Sequence, residues 1–554
     1  MVRGLLLMAR REVRGLHEAA YLLAAFALLS QVLALLRDRL FASSFGIGPT
    51  LDTYFAAFRV PDLLFATIAS LFSLYAILPA LAKHEGSETQ LLEQIFLWFF
   101  GITSIAAVVL YVALPSLAPH LAPGFSPDAL RSLIELSRIL LLQPILLGAS
   151  NVLASLTQLR SRFVLYALSP VLYNVGILTG IVFLYPHFGI KGLGFGVVLG
   201  AAMHLLLQVP FFFSERSVEV KKIKAPIREI LLLSIPRTLA LSASQLTLLA
   251  LVSIASLLSP GSISALTLSM NLLGVPLAVI GVSYSVAAFP TLARLFGRGE
   301  KEQFLVQMNA ALRHIFFWSI PTLVLVIVLR AQIVRVILGS GAFDWSATRL
   351  TAALLSVFIL SLTAQAAVYL LSRAYYAAGN TKKPLFLALL SVVVSVVSSV
   401  ALLLCFQQFQ AFRFFVESLL RVTDVPGTSV LMLALGYSLG ALVQAAVSLR
   451  VFYRDFNTPL FPLMRTMGRA TAASIIGGFA AYSGLTLMGE FVDINTFAGI
   501  FTQGFVGGVC GLFVTILVLV ALKSPELREI SDALMRHFKD SDPKLAVEPS
   551  ELTP

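Results

Sequence analysis

Long, nearly uncharged apolar runs follow one another along almost the whole of this 554-residue chain. Because a helix needs about 20 predominantly apolar residues to cross a bilayer, the sequence predicts about fourteen transmembrane helices. Their expected bounds are 20–43, 51–81, 91–118, 129–157, 164–186, 190–213, 228–258, 262–292, 306–331, 348–376, 384–405, 429–450, 467–488 and 496–522. Charged residues make up 12% of the chain, against about 25% in a soluble domain. We therefore expect an all-α polytopic membrane protein, which excludes a soluble enzyme, a disordered scaffold and a secreted disulfide-rich module.

Basic residues are distributed unequally between the segments that connect these runs. With the N-terminus placed inside the cell, the inside segments hold 27 lysines and arginines and the outside segments hold seven. Lys and Arg accumulate in the cytoplasmic loops of membrane proteins, so the pattern predicts a multi-pass protein of the cytoplasmic (inner) membrane with both termini cytoplasmic. The net charge of +12 then reflects topology, and no nucleic-acid partner is expected.

One short pattern recurs six predicted helices apart. Gly196–Ala201 reads GVVLGA and Gly436–Ala441 reads GYSLGA, and basic residues precede the helix before each copy, at Arg160 and at Lys382. The even offset keeps both copies in one orientation, which predicts two parallel six-helix lobes followed by two further helices. Alternatively, glycines four residues apart recur by chance because they allow close helix packing. The repeat predicts a basic cytoplasmic N-terminus at 1–19, an N-terminal lobe at 20–213, a cytoplasmic linker at 214–227, a C-terminal lobe at 228–455, two extra helices at 456–523 and a cytoplasmic tail at 524–554.

Ionisable residues are concentrated where the first apolar run ends and the second begins. The segment Arg37–Arg39 closes the first run, and Asp52, Arg59 and Asp62 open the second. Asp52 and Arg59 are seven residues apart, so we expect them on one face of a helix. The cluster has two interpretations: structural ion pairs that fix helix packing, or a cationic cavity surface that holds an anionic head group. Arginine suits the second task because its planar guanidinium pairs with two phosphate oxygens at once.

Signatures of catalysis and of cofactor binding are missing from the sequence. It has no Walker loop for nucleotide phosphates, and its seven histidines show no metal-ligand spacing. Cys405 and Cys510 lie far apart in apolar runs and form no metal or disulfide framework. We therefore expect a protein that is not an enzyme and that uses no cofactor or metal.

Several short motifs occur in an order and spacing that are typical of one family. They are Ser30–Asp38, Phe45–Gly46, Asp52, Phe58–Asp62, Ala122–Phe125, Arg162–Asn174, Pro236–Leu239, Ser244–Gln245, Pro276–Pro290, Gly341–Asp344 and Tyr375–Pro384. On these residues the chain resembles the MurJ/MviN lipid II flippases from about 20 to 400. The resemblance implies the MOP exporter fold, with two six-helix lobes around a central cavity and two extra helices that form a lipid-facing groove.

The resemblance also implies an activity, a substrate and binding residues. The activity would be the transfer of lipid-linked peptidoglycan precursor from the inner to the outer leaflet by alternating access. The substrate would be anionic, an undecaprenyl pyrophosphate-linked sugar. The protein that binds it would be a monomer surrounded by membrane lipids. Arg37, Asp38, Asp52 and Arg59 stand at matching positions of the motifs and would bind it, with the arginines on the pyrophosphate.

Three positions depart from the family's pattern. Gln31 follows the opening serine where the family has an arginine, Asn271 lies five residues before the proline of the eighth run in place of another arginine, and Phe65 replaces a third. We expect Gln31 and Asn271 to line the same cavity, which is then less cationic than in the family. Two alternatives stay open: a related MOP-type flippase for another lipid-linked polysaccharide unit, or a transport-inactive membrane scaffold of envelope assembly.

Overall fold

The computed structural model is helical throughout and contains no strand in the part of the chain that it describes. That part comprises residues 16–69, 71–72, 77, 88–160, 162–214, 227–457, 461–494, 496–529 and 531–532. Four expected segments lie partly or largely outside it: the N-terminus at 1–15, the end of the second run at 70, 73–76 and 78–81, the linker at 215–226 and the tail at 533–554.

The helices are numbered in chain order. The first seven are α1 (Leu16–Phe45), α2 (Pro49–Ala57), α3 (Arg59–Leu64), α4 (Glu88–Leu121), α5 (Pro127–Leu159), α6 (Phe163–Phe188) and α7 (Ile190–Ser214). The others are α8 (Ile227–Ser256), α9 (Ser262–Gly297), α10 (Lys301–Leu338), α11 (Trp345–Ala377), α12 (Lys382–Gln408), α13 (Gln410–Leu420), α14 (Leu431–Phe456), α15 (Phe461–Phe491) and α16 (Phe497–Ala521). Wider π-helical turns follow α3 and interrupt α6 and α9, at Phe65–Ala69, Gly180–Leu184 and Leu277–Val282.

Twelve helices of the described chain are long and apolar enough to cross a bilayer, namely α4 to α12 and α14 to α16. Each coincides with one predicted run, from 91–118 to 496–522. The first predicted run, 20–43, lies within the continuous helix α1. The expected fold class, an all-α polytopic membrane protein, is confirmed.

The second predicted run is not one continuous helix. Its first helix, α2, ends at Ala57, and α3 begins at Arg59. Pro61 explains the break because proline has no amide hydrogen, so the carbonyl of Ala57 lacks its helical partner. Asp52 and Arg59 therefore belong to two successive helices, separated by Phe58, which itself keeps helical dihedral angles.

The recurring glycines bring neighbouring helices into close contact. A Cβ atom on Gly196 or Gly200 of α7 would overlap the backbone of α6, and one on Gly436 or Gly440 of α14 would overlap serine side chains of α12. Close packing, the second interpretation of the repeat, is thus what these glycines do at both copies. The division of the chain into two six-helix lobes stays a prediction.

Packing divides the chain into two compact units. The first consists of 1–275, 333–361 and 379–448, and the second of 276–332, 362–378 and 449–554. In the second unit, α15 and α16 pack on each other, and both contact α10 through glycines such as Gly478 and Gly511. All the substrate-binding residues expected from the sequence belong to the first unit.

Candidate functional site

An ion pair between neighbouring residues occupies the last third of α1. The Nε and Nη2 atoms of Arg37 donate hydrogen bonds to Oδ1 of Asp38 at 3.0 and 2.8 Å. The Asp38 side chain is 4% exposed and that of Arg37 is 22% exposed. The guanidinium is thus held by a buried carboxylate, and the Arg37 side chain as a whole stays partly exposed.

Asn271 of α9 forms a hydrogen bond with the second oxygen of this carboxylate. Its Nδ2 atom donates to Oδ2 of Asp38 at 2.9 Å, so each oxygen of Asp38 has a partner. The expected proximity of Arg37, Asp38 and Asn271 is therefore observed. Because the amide of Asn271 is neutral, the three side chains carry no net charge together, whereas an arginine at 271 would make the group cationic.

Asn174 of α6 is a fourth member of the group, and it is not among the binding residues predicted from the sequence. Its Oδ1 atom accepts a hydrogen bond from Nη1 of Arg37 at 3.4 Å, and its Nδ2 atom donates to Oγ of Ser30 at 3.2 Å and to the carbonyl of Pro170 at 3.1 Å. Two signals could have identified it. It is an amide side chain in an apolar helix, four residues after a proline, and Ser30 lies two helical turns before Arg37 on the same face of α1. We call Ser30, Arg37, Asp38, Asn174 and Asn271 the Arg37 cluster.

Gln31 and Arg59 are not part of the hydrogen-bond network described for this cluster. Gln31 is a half-buried residue of α1, and within the described residues no hydrogen bond connects it to Arg37 or Asp38. Arg59 begins α3, and its Nε atom donates to the carbonyl of Phe55 at 3.1 Å. The structure therefore brings three of the six expected binding residues together and leaves these two separate.

Asp52, the sixth expected residue, binds the start of another helix. Its Oδ2 atom accepts from the backbone N–H of Gly261 at 2.6 Å, and its Oδ1 atom accepts from that of Ser264 at 2.7 Å. The N–H of Ser264 belongs to the first turn of α9, which has no helical partner for it, and Gly261 directly precedes the helix. A carboxylate at this position also interacts favourably with the helix dipole. Asp52, which is buried, thus caps α9 from a distant part of the chain.

The end of α1 makes a second set of long-range contacts, with the last turn of α10 and with the loop that follows it. The backbone N–H of Ala342 donates to the carbonyl of Ser43 at 2.8 Å, and Nη1 of Arg39 donates to the carbonyl of Val336 at 2.6 Å. The two segments of the chain approach so closely here that a Cβ atom on Gly46 would lie 2.7 Å from the carbonyl oxygen of Ala342. Gly46 also has a φ of +63°, which favours glycine.

A third contact joins the end of α4 to the end of α8. The N–H of Gly124 donates to Oγ of Ser256 at 3.2 Å, and Oγ of Ser253 donates to the carbonyl of His120 at 3.0 Å. We call the three sets of contacts, made by Asp52, by Arg39–Gly46 and by Gly124, the loop clamp. Three segments from the first 124 residues are thus held to three segments between 253 and 342.

Comparison with known proteins agrees with this architecture. The family model described as "Lipid II flippase MurJ" matches residues 41–412. The "Lipid II flippase MurJ" of Burkholderia cenocepacia is 23% identical over 404 residues, which cover 70% of this chain and 78% of the relative.

Two solved structures share the fold. One, described as "Lipid II flippase MurJ, inward closed conformation", superposes with a TM-score of 0.72 and 21% identity over 91% of this chain and 99% of that one. The other, an inward-facing multidrug resistance MATE family transporter of the MOP superfamily, superposes with a TM-score of 0.63 and 17% identity over 77% of this chain and 94% of that one. The expected MOP exporter fold is confirmed. Because the family model matches more than half of its residues, this multi-pass membrane protein belongs to the MurJ family of lipid II flippases.

Proposed function

We propose that this chain is a lipid II flippase, which moves the lipid-linked peptidoglycan precursor from the inner to the outer leaflet of the cytoplasmic membrane. It would act as a monomer with both termini cytoplasmic, without catalysing a reaction. Membership of the family supports the activity. The Arg37 cluster is the observation that carries the proposal in this chain, because it places an arginine where an anionic head group could be bound within the span of an apolar helix.

The cluster is suited to a pyrophosphate by hydrogen bonding more than by net charge. Of the five N–H groups of a guanidinium, Arg37 uses two on Asp38 and one on Asn174, which leaves two for a ligand. Asp38 and Asn174 hold the guanidinium plane in one orientation. A phosphate oxygen can then bind to a fixed pair of donors, and a charge-assisted hydrogen bond of this kind contributes about 1.5–3 kcal/mol.

The loop clamp supports alternating access as the mode of transport. In the predicted topology its contacts all lie on the outer side of the membrane, so they would close that side while substrate enters from the inner side. Opening the outer side would require Asp52 to release the N-terminus of α9 and Ser43 to release Ala342. Hydrogen bonds to backbone groups suit this task, since each can be exchanged for a hydrogen bond to water.

Growth of a cell depleted of its own lipid II flippase tests the proposal. Expression of the unmutated chain should restore growth, and Arg37→Ala should not, because it removes the donors that face the substrate. Arg37→Lys should restore growth partially, since an ammonium keeps the charge but loses the planar pair of donors. An unmutated protein that is expressed and inserted but does not restore growth would overturn the proposal for this substrate.

A second candidate is a MOP-type flippase for another lipid-linked polysaccharide unit. The neutral Asn271 favours it, because the cluster then has less attraction for a strongly anionic pyrophosphate than one with a second arginine. A chain that fails to support growth but translocates a different lipid-linked sugar in reconstituted vesicles would identify this function. If the protein translocates none of these lipid-linked sugars, the remaining interpretation is a transport-inactive membrane scaffold.

A further inference from the structure

The helix α13 lies between the membrane-spanning helices α12 and α14 and presents an apolar face away from the protein. It is 11 residues long, too short to cross a bilayer. Phe414, Phe415 and Leu419 are 67%, 62% and 65% exposed. Three large apolar side chains on one face of so short a helix are unusual for a surface that contacts water.

The two charged side chains of α13 pair with each other away from this apolar arc, with Glu417 buried and Arg413 58% exposed. Glu417 is buried and accepts hydrogen bonds from Nε of Arg413 at 2.9 Å and from Oγ1 of Thr428 at 2.6 Å. Val416 is buried beside it. At 100° per residue, Phe414, Phe415 and Leu419 share an arc of about 140° on the side of the helix opposite Arg413. The arc that carries Phe414, Phe415 and Leu419 therefore contains no charged residue, whereas the solvent face of a helix in water is usually polar or charged.

Hydrogen bonds from Arg349 hold the segment that follows α13, and they thereby restrict the orientation of the apolar face. Both Nη atoms of Arg349 on α11 donate to the carboxylate of Asp424, at 2.7 and 2.6 Å. One of them also donates to the carbonyl of Arg421 at 2.5 Å, where the chain leaves α13 in a left-handed conformation. Because one arginine binds both the Asp424 carboxylate and the Arg421 carbonyl, it fixes the direction of the chain at the end of the helix.

The preceding helix indicates what covers this face. On α12, Val393, Val397, Val400 and Leu404 are all exposed and follow one another at the three- and four-residue spacing of a single helix face. On a membrane-spanning helix such a face contacts lipid. Phe409, also exposed, is the one residue between α12 and α13 and continues the apolar surface from one helix to the next.

We propose that α13 is an interfacial helix that lies in the bilayer surface, with Phe414, Phe415 and Leu419 inserted among phospholipid acyl chains at the ends of α12 and α14. In the predicted topology this is the outer leaflet. A helix with an apolar face at the head-group boundary anchors a protein in the membrane plane. This anchor is separate from the Arg37 cluster, and it does not depend on which substrate the protein carries.

Spin labels on the full-length protein in phosphatidylethanolamine–phosphatidylglycerol vesicles test the proposal. Single cysteines are introduced by Phe415→Cys, by Val397→Cys as the lipid-facing control and by Thr423→Cys as the control in the exposed loop, each after Cys405→Ser and Cys510→Ser. Accessibility is measured to oxygen, which concentrates in lipid, and to a water-soluble nickel complex. The label at position 415 should resemble the one at 397, with an oxygen-to-nickel ratio several-fold above that at 423.

Two results would overturn the proposal. A label at position 415 that is as accessible to nickel as the one at 423 would place this face in water. A label that neither reagent reaches would show that protein, from a partner or from a second copy of the chain, covers the face. Because the readout is lipid contact, neither result would bear on whether the protein translocates lipid II.

Discussion

Asp38 and Asp52 are both buried carboxylates, yet different kinds of group bind their oxygens. Asp38 is bound by the side chains of Arg37 and Asn271, so its charge is matched to another side chain. Asp52 is bound by the backbone N–H groups of Gly261 and Ser264, so its charge is matched to a helix terminus. The first arrangement orients a guanidinium, and the second joins two parts of the chain.

Removal of the cap tests the second role. We expect Asp52→Ala to lower the free energy of unfolding by about 2 kcal/mol, the upper end of the range for loss of an N-cap, because two N–H groups lose a charged acceptor. Asp52→Asn should lose less, since one oxygen acceptor remains. Thermal unfolding of the purified protein measures both. As a control, Glu135→Ala breaks only the exposed ion pair to Lys191 and should cost at most about 1 kcal/mol; an Asp52→Ala protein as stable as this control would contradict the capping role.

The ion pair at the end of α13 predicts a pH dependence. Its hydrogen bonds from Arg349 hold the pKa of Asp424 below the ordinary value of 3.8. A carboxylate whose pKa is lowered by folding stabilises the folded state above its ordinary pKa, and this contribution is lost as the pH falls through the lowered value. The stability difference between the unmutated protein and Asp424→Asn should therefore be full at pH 5 and above and should shrink below pH 3.8. A difference that is constant from pH 7 to pH 3 would show that the pair contributes nothing.

At the scale of elements, hydropathy located the helices and missed the contacts between them. Each run from 91–118 onward forms one membrane-spanning segment, with a turn at Leu141 in α5 and a 3-10 turn at Ile359–Ser361 in α11, because length and apolar content decide whether a segment can span a bilayer. The break between α2 and α3 was marked only by Pro61, whose effect on a membrane helix depends on its neighbours. The partner of Asp52 lies 209 residues away in the chain, and no local pattern encodes a contact at that distance. The concentration of ionisable residues indicates Arg37 and Asp38, and the family resemblance indicates Asn271. Asn174 can be recognised from its isolated polar side chain in an apolar helix.

The close packing of α6 and α7 gives a prediction at this scale. Gly200→Ala should lower the free energy of unfolding by about 1–3 kcal/mol, because the new methyl group would overlap the carbonyl oxygen of Tyr173. Gly101→Ala is the matched control on α4, where a Cβ atom would meet nothing within 4 Å. It should stabilise the protein by up to about 1 kcal/mol, the difference in helix propensity. Equal stabilities of the two variants in a thermal unfolding experiment would contradict the packing account.

At the scale of the whole molecule, the Arg37 cluster lies within apolar helices, and the loop clamp joins distant segments of the first unit. We propose that these loops separate when the protein changes its accessible side. The backbone hydrogen bond from Ala342 to Ser43 is 2.8 Å long, so a short thiol crosslinker can bridge Ser43→Cys and Ala342→Cys in a protein that also carries Cys405→Ser and Cys510→Ser. The crosslinked protein should fail to transport, and cleavage of the crosslink should restore transport. A crosslinked protein that transports at the unlinked rate would show that the loop clamp does not open.

Translocation of fluorescent lipid II by the purified protein in vesicles tests the central claim most directly, because it measures the proposed activity and the role of Arg37 together. The unmutated protein should move the lipid from one leaflet to the other, and Arg37→Ala should do so roughly tenfold more slowly or worse, the rate equivalent of one lost charge-assisted hydrogen bond. Lipid II that stays in its original leaflet, or an Arg37→Ala protein that transports at the unmutated rate, would contradict the account.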